Sequence, residues 1–218
     1  MNFILPFQTI KNVKKIAIIF LLCSIIISCS NKKEKIKDIK SNLNNTNLSE
    51  KKIKKDTLTK DKIAASFDFP VGKPNAEGYY NAQKFKKNFH LGDDWNAVTG
   101  GNSDLGDPIY AIANGYIQEA KDFKGGWGNV VRIIHFLPNK KQIVSLYAHC
   151  DTITTKANSW VKKGDKIGTI GTANGKYYAH LHFEIRDDIT LPLGPGYSED
   201  TSGYLDPTKF IKEHRVIK

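Results

Sequence analysis

The sequence predicts a mainly β domain of antiparallel sheets with one or two short helices, spanning residues 67–218. Three observations carry this. Beyond Phe67 the chain consists of short apolar runs broken by Gly, Pro, Asn and Asp, the texture of many short strands joined by tight turns. Turn signals are closely spaced, at Asn114-Gly115, Gly125-Gly126, Pro138-Asn139, Gly164-Asp165 and Asn174-Gly175. Hydrophobic residues make up 40% and aromatics 11% of the chain, enough to build one core in a domain of ordinary size.

In chain order, strands are expected at 109–113, 115–120, 129–136, 142–149, 166–170 and 180–186. Each is a run rich in Ile, Val, Tyr or Phe between turn residues. Helices are expected at 81–88 and 207–213. The second opens on Asp206-Pro207, a capping residue followed by a proline suited to the first helical position.

The N-terminal third reads differently. Lys11, Lys14 and Lys15 precede twelve mostly apolar residues, 16–27, which as a helix would span roughly 18 Å. That is too short for the ~30 Å hydrocarbon core, so residues 1–28 are expected to be a signal peptide rather than a membrane span. The run ends on Ile26-Ile27-Ser28-Cys29. Residues 30–66 contain no Phe, Trp or Tyr and cannot bury enough apolar surface to offset ordering entropy. Residues 29–66 are therefore expected to be a tether, its ends about 30–37 Å apart on average.

The net charge of +11 is unevenly shared. Residues 31–62 hold eleven Lys against five acids, whereas residues 63–218 hold nineteen basic and seventeen acidic side chains. The basic excess belongs to the tail, which argues against nucleic acid as a partner of the folded part.

Four of the six histidines fall in three short motifs. In His90-Leu-Gly-Asp-Asp94, residues four apart on a straight strand would sit about 13 Å apart, but Gly92 permits a bend. By spacing alone, Asp93 or Asp94 would serve equally. In His180-Leu-His182-Phe-Glu184, strand alternation places His180, His182 and Glu184 on one face. Side-by-side imidazoles are costly to bury without partners, so metal binding or acid–base work is implied. In Tyr147-Ala-His149, alternation puts Ser145, Tyr147 and His149 on a common face. Two imidazoles and a carboxylate would leave a tetrahedral Zn²⁺ one open position, which suits catalysis, with further histidines free to move protons or stabilise an oxyanion.

In order along the chain stand His90-x-Gly-x-Asp94, Gly106-Asp107-Pro-Ile-Tyr-Ala, Tyr147-Ala-His149, Val161-Lys-Lys-Gly-Asp-Lys-Ile-Gly168 and His180-Leu-His182-Phe-Glu184. Together they resemble the lysostaphin-type, or LytM-like, zinc endopeptidases that cut peptidoglycan peptides. The resemblance runs from His90 to Glu184, and Asp206-Pro207 also fits. It implies a catalytic groove on the β domain, with one Zn²⁺ held by His90, Asp94 and His182. His149 and His180 would be catalytic without binding the metal; strand geometry by itself would allow either His180 or His182 as ligand. Residues 26–29 in turn resemble the bacterial lipobox, which implies lipidation of Cys29. The implied setting is the cell envelope, with a lipid-anchored monomer facing the periplasm or cell wall and peptidoglycan peptides as partner.

The rival function is a catalytically silent relative that binds peptidoglycan or activates another hydrolase, but silent members lack some of the five positions filled here. A cupin or a metallo-β-lactamase-type site would need different residues after His182. Residues 95–107 are longer and richer in Gly and Asn than usual in the family, as a rim or lid over the groove would be. Glu184 is expected to support the site from behind, and Cys150 to be a small buried thiol, since neighbours on a strand face opposite ways and cannot form a Cys–His dyad. His135 and His214 read as structural, Trp95, Trp127 and Trp160 as packing. No Tyr is matched to a transition-state donor.

Overall fold

In the computed structural model, residues 58–216 are described. The signal peptide, Cys29 and most of the expected tether lie outside them. Among the described residues ten strands occur: β1 (Tyr79–Gln83), β2 (Asp93–Ala97), β3 (Pro108–Tyr110), β4 (Gly115–Asp122), β5 (Asn129–Phe136), β6 (Gln142–Cys150), β7 (Trp160–Val161), β8 (Lys166–Thr169), β9 (Leu181–Arg186) and β10 (Tyr204–Leu205). One α-helix follows, α1 (Pro207–His214). Eight strands form a sheet in the order β1-β2-β9-β6-β5-β4-β7, with β10 also on β9, and β3 pairs with β8 in a small second sheet. The pairs are antiparallel, as the close turns predict.

The central strands are buried along almost their whole length, which explains their continuous β-branched and aromatic runs. One face, carrying Val131, Ile133, Tyr147, Phe183 and Ile185, packs on the small sheet, on Phe67 and on Phe210 and Ile211 of α1. The other carries Val130, Leu146 and Ala148, against which Trp127 and Leu193 pack. The candidate site residue His182, paired with Ala148, lies on this second side.

Helix α1 begins where expected: the Asp206 side chain accepts from Lys209 N at 2.9 Å. The helix expected at 81–88 does not form. Residues 79–83 are edge strand β1, and 87–89 make a single 3₁₀ turn. Pairing with β2 overrides the weak helical pattern. Strands β1, β2, β7 and β10 were not legible, being short and polar. Packing also starts before Phe67: Ile63 bridges Phe136, and the buried Ala64 donates its N–H to Phe136 O at 2.8 Å.

Candidate metal centre and cleft

Asp93 and Asp94 begin β2, which pairs with β9 so that Asp94 faces His182 and Asp93 faces Phe183. The pleat therefore separates two carboxylates that the sequence could not tell apart. Asp93 is spent on the opposite side, accepting from Phe85 N and from the backbone and hydroxyl of Thr208 at the start of α1. Asp94 is left for the site. Gly92 acts by absence of bulk: a Cβ there would lie 2.5 Å from Phe183 O. Its φ is not in the left-handed region, so close approach of two backbones, rather than a special bend, is what requires glycine.

Three donor atoms converge. His90 Nε2 lies 2.9 Å from His182 Nδ1 and 3.2 Å from Asp94 Oδ1, and His182 Nδ1 lies 3.0 Å from Asp94 Oδ1. Ligands of a tetrahedral zinc ion at 2.0–2.1 Å stand roughly 3.3 Å from one another, so the spacing and the His₂Asp chemistry fit such an ion. Among the described residues this is the group of His, Cys, Asp and Glu suited to a metal. His90 and His182 are buried. On its far side His182 Nε2 meets Glu184 Oε1 at 2.9 Å, and Glu184 Oε2 accepts from Arg186 Nε at 2.7 Å. A partner on the second nitrogen fixes which nitrogen faces the metal.

Burial alone would lower the His182 pKa, but Asp94 and Glu184 on either side lift it to about 9. Burial would raise the Asp94 carboxyl, yet its hydrogen bonds with His182 and His90 hold it well below the usual carboxylate range. Charge on the metal-free site is thus stored as a proton on His182.

His149 reaches the site by an irregularity. Alternation from Tyr147 would put it on the core face, contrary to its place in the structure. Between the Val131–Tyr147 and Asn129–Cys150 pairs, β6 carries one residue more than β5, a bulge. His149 takes up the extra residue with a left-handed φ of 62°. It turns to the His182 side, with ring centroids 5.6 Å apart, while Cys150 returns to the core. The expected common face of Ser145, Tyr147 and His149 is therefore corrected. Cys150 is a buried free thiol, pushed up to about 12 by burial.

His180 stands just before β9, its ring centroid 4.8 Å from that of His149. Its Nδ1 is 2.8 Å from Tyr178 O, and His149 Nδ1 is 3.3 Å from Trp127 O. A carbonyl accepts only, so in the neutral rings both Nδ1 atoms carry the proton and both Nε2 atoms are acceptors. Burial above all, with the neighbouring His182 and His180, pushes His149 down to about 3, so the ring is uncharged at neutral pH.

The four side chains Asp94, His149, His180 and His182 border a cleft of about 480 Å³ walled by Trp127, Tyr177 and Tyr197. A second opening of about 940 Å³ continues past Asp94 and His180 toward Asn96, Asn102 and Lys176. Asn102, within the 95–107 segment, accepts from Ala179 N at 2.8 Å and so forms part of this rim. Sequence reasoning missed Tyr177 and Tyr197, which sit in turn-rich segments without periodicity. It also took Trp127 as packing, whereas the ring both packs on the sheet and walls the cleft. His135 is structural as expected: it is buried, with Asn114 O and Ser145 Oγ as partners. His214 lies at the end of α1 against Phe210.

Residues 88–193 match the model of peptidase family M23. Among curated relatives, Lipoprotein NlpD of Yersinia enterocolitica is 41% identical over 81 residues, 37% of this chain and 78% of that protein. Murein hydrolase activator NlpD of Escherichia coli is 35% identical over 100 residues, 43% of this chain. The match spans only 25% of that longer protein. In fold, the chain is similar to a solved structure of the SpoIIQ-SpoIIIAH pore-forming complex, with TM-score 0.50 and 17% identity, covering 68% of this chain and 92% of that one. The motif order, the mainly antiparallel sheet and these matches agree: the chain belongs to peptidase family M23.

Proposed function

We propose that the protein is a zinc-dependent endopeptidase that hydrolyses peptide bonds in peptidoglycan cross-links or stem peptides during cell-wall remodelling. The observation that supports it best is the convergence of His90 Nε2, Asp94 Oδ1 and His182 Nδ1 within 3.2 Å of one another, at the floor of a cleft flanked by two further imidazoles. In this reading His90, Asp94 and His182 hold one Zn²⁺. When bound, the ion supplies Lewis acidity, which lowers the pKa of water and polarises a carbonyl.

The chain's own residues do the rest. His149 and His180 are the catalytic pair, each anchored through Nδ1 to a carbonyl and bordering the cleft, with His180 Nε2 3.9 Å from Asp94 Oδ1. One takes a proton from the attacking water, and a protonated imidazole then delivers it to the leaving amine or steadies the oxyanion. Glu184 keeps His182 oriented. Trp127, Tyr177 and Tyr197 present flat walls to an extended peptide. Cys29 carries the lipid, the tether between it and the packed Ile63 gives reach, and the domain works in the cell envelope, a setting that the lipoprotein relatives favour.

The test uses the full chain and purified sacculi. Release of peptide amines is expected with zinc present. His149→Ala and His180→Ala should each abolish release while leaving metal bound; full activity in both would refute the assignment. A second reading, activation of another hydrolase, is favoured by the relative named a murein hydrolase activator. An inert chain that accelerates a separate murein hydrolase, equally so in both alanine variants, would establish it.

A further inference from the structure

Two buried arginines do work that the site does not account for. Arg186 is fully buried on β9. Its Nε binds Glu184, while its two terminal nitrogens donate to Pro192 O and Leu193 O at 2.6 Å each. Tyr204 lies under its guanidinium at 4.8 Å. Arg132, 3% exposed on β5, is paired with Glu119 at 3.0 Å and donates to Leu191 O at 2.9 Å. Three successive carbonyls, 191–193, thus end on two guanidinium groups. A few residues later the same segment joins the other end of the site. Leu91 N donates to Gly196 O at 3.0 Å, Ser198 N donates to Phe89 O at 2.8 Å, and the Tyr197 ring lies 5.0 Å from that of His90.

We infer that Arg186 is a positioning residue that joins the metal centre to the cleft wall: through Glu184 it sets the orientation of His182, and through the 192–193 carbonyls it sets the 195–197 wall beside His90. This rests on the metal site proposed above. A planar guanidinium suits the task because its five donors lie in fixed directions and satisfy a carboxylate and two carbonyls at once. Lysine could neutralise Glu184 but could not reproduce that pattern. Arg132 holds the same segment without touching a metal ligand, which makes it the internal control.

The experiment uses the full chain and paired substitutions that leave no lone buried charge, Glu184→Gln with Arg186→Met and, separately, Glu119→Gln with Arg132→Met. Zinc affinity is measured by chelator competition, and amide exchange at Leu91 and Ser198 in the metal-free protein. The first pair should bind zinc about 10–100-fold more weakly and exchange faster at both amides. The second should exchange faster with unchanged zinc affinity. Arg186→Lys alone, which keeps a positive partner for Glu184 but not both carbonyl bonds, should retain most of the zinc affinity while exchanging faster at both amides. Wild-type affinity and exchange in the first pair would overturn the proposal, as would equal loss of affinity in both pairs, the mark of a general loss of stability. A wild-type chain that binds no zinc would instead defeat the site reading, while the exchange arm still decides whether Arg186 holds the wall.

Discussion

His149 and His182 share a face of the sheet only because the backbone at His149 is left-handed. With φ at 62°, His149 interrupts the alternation of β6 and brings its ring centroid to 5.6 Å from that of His182. A non-glycine residue at positive φ costs about 1–2 kcal/mol, and such outliers cluster at functional sites.

That strain can be read by substitution. His149→Asn, which tolerates the left-handed region, should unfold at a denaturant midpoint near that of the parent. His149→Val, with its branched Cβ, should be about 1–2 kcal/mol less stable than the Asn variant. Chemical denaturation of the metal-free proteins distinguishes them. Neither should release peptide from sacculi.

Gly92→Ala places a Cβ 2.5 Å from Phe183 O. β2 must withdraw from β9, carrying Asp94 away from His182. The expected loss is about 1–3 kcal/mol of stability, with weaker zinc binding. Thermal unfolding with and without zinc reports both, and an unchanged zinc-induced shift would count against the role of the close approach.

Proton release should accompany metal binding. The metal-free site holds a proton on His182 up to about pH 9, and a ligating imidazole must give it up. Calorimetry in buffers of different ionisation enthalpy should show close to one proton released per zinc at pH 7, declining as the pH rises through 9. The same group works on stability in the metal-free protein. Its folded pKa lies above the unfolded value of ~6.5, so its contribution is complete below that pH and lost as the pH rises through about 9.

His135 acts in the opposite direction. Burial lowers its pKa to about 4, below the unfolded ~6.5, so acid protonates the unfolded chain first. Stability should fall between pH 6.5 and 4 by on the order of 3 kcal/mol from this group. His149 adds a parallel slope in the metal-free protein. His135→Gln should be less stable at pH 7, having lost its contacts with Asn114 O and Ser145 Oγ, yet should flatten that part of the acid dependence. Denaturant titrations across the range test it.

Cys29→Ala should leave the chain without lipid and move it from the membrane fraction to the soluble one, with the peptidase activity of the purified domain unaltered. Fractionation and intact-mass measurement settle the outcome.

Much of the fold was legible because burial on both faces writes long apolar strands. The expectation 129–136 coincides with β5, and the 142–149 and 180–186 expectations differ from β6 and β9 by one residue at one end. The edge strand β1 and its neighbour β2 were hidden by polar composition, since their pairing and not their periodicity makes them strands. At the site, the residue types and their order declared the histidines and the carboxylate. Residue type made them candidates because few side chains offer metal-binding or proton-moving chemistry, while their roles came from the family resemblance and spacing left Asp93 and Asp94 as equals.

Direction was another matter. Asp94 was separated from Asp93 by the pairing of β2 with β9, and His149 was brought across by a bulge that a one-residue mismatch with β5 creates. The walls Trp127, Tyr177 and Tyr197, and the arginines beneath them, come from segments far apart in sequence. One-dimensional order states which chemistry is available. Only the packing of distant strands decides which atoms meet, because strand register and backbone sign are set by contacts that no local pattern encodes.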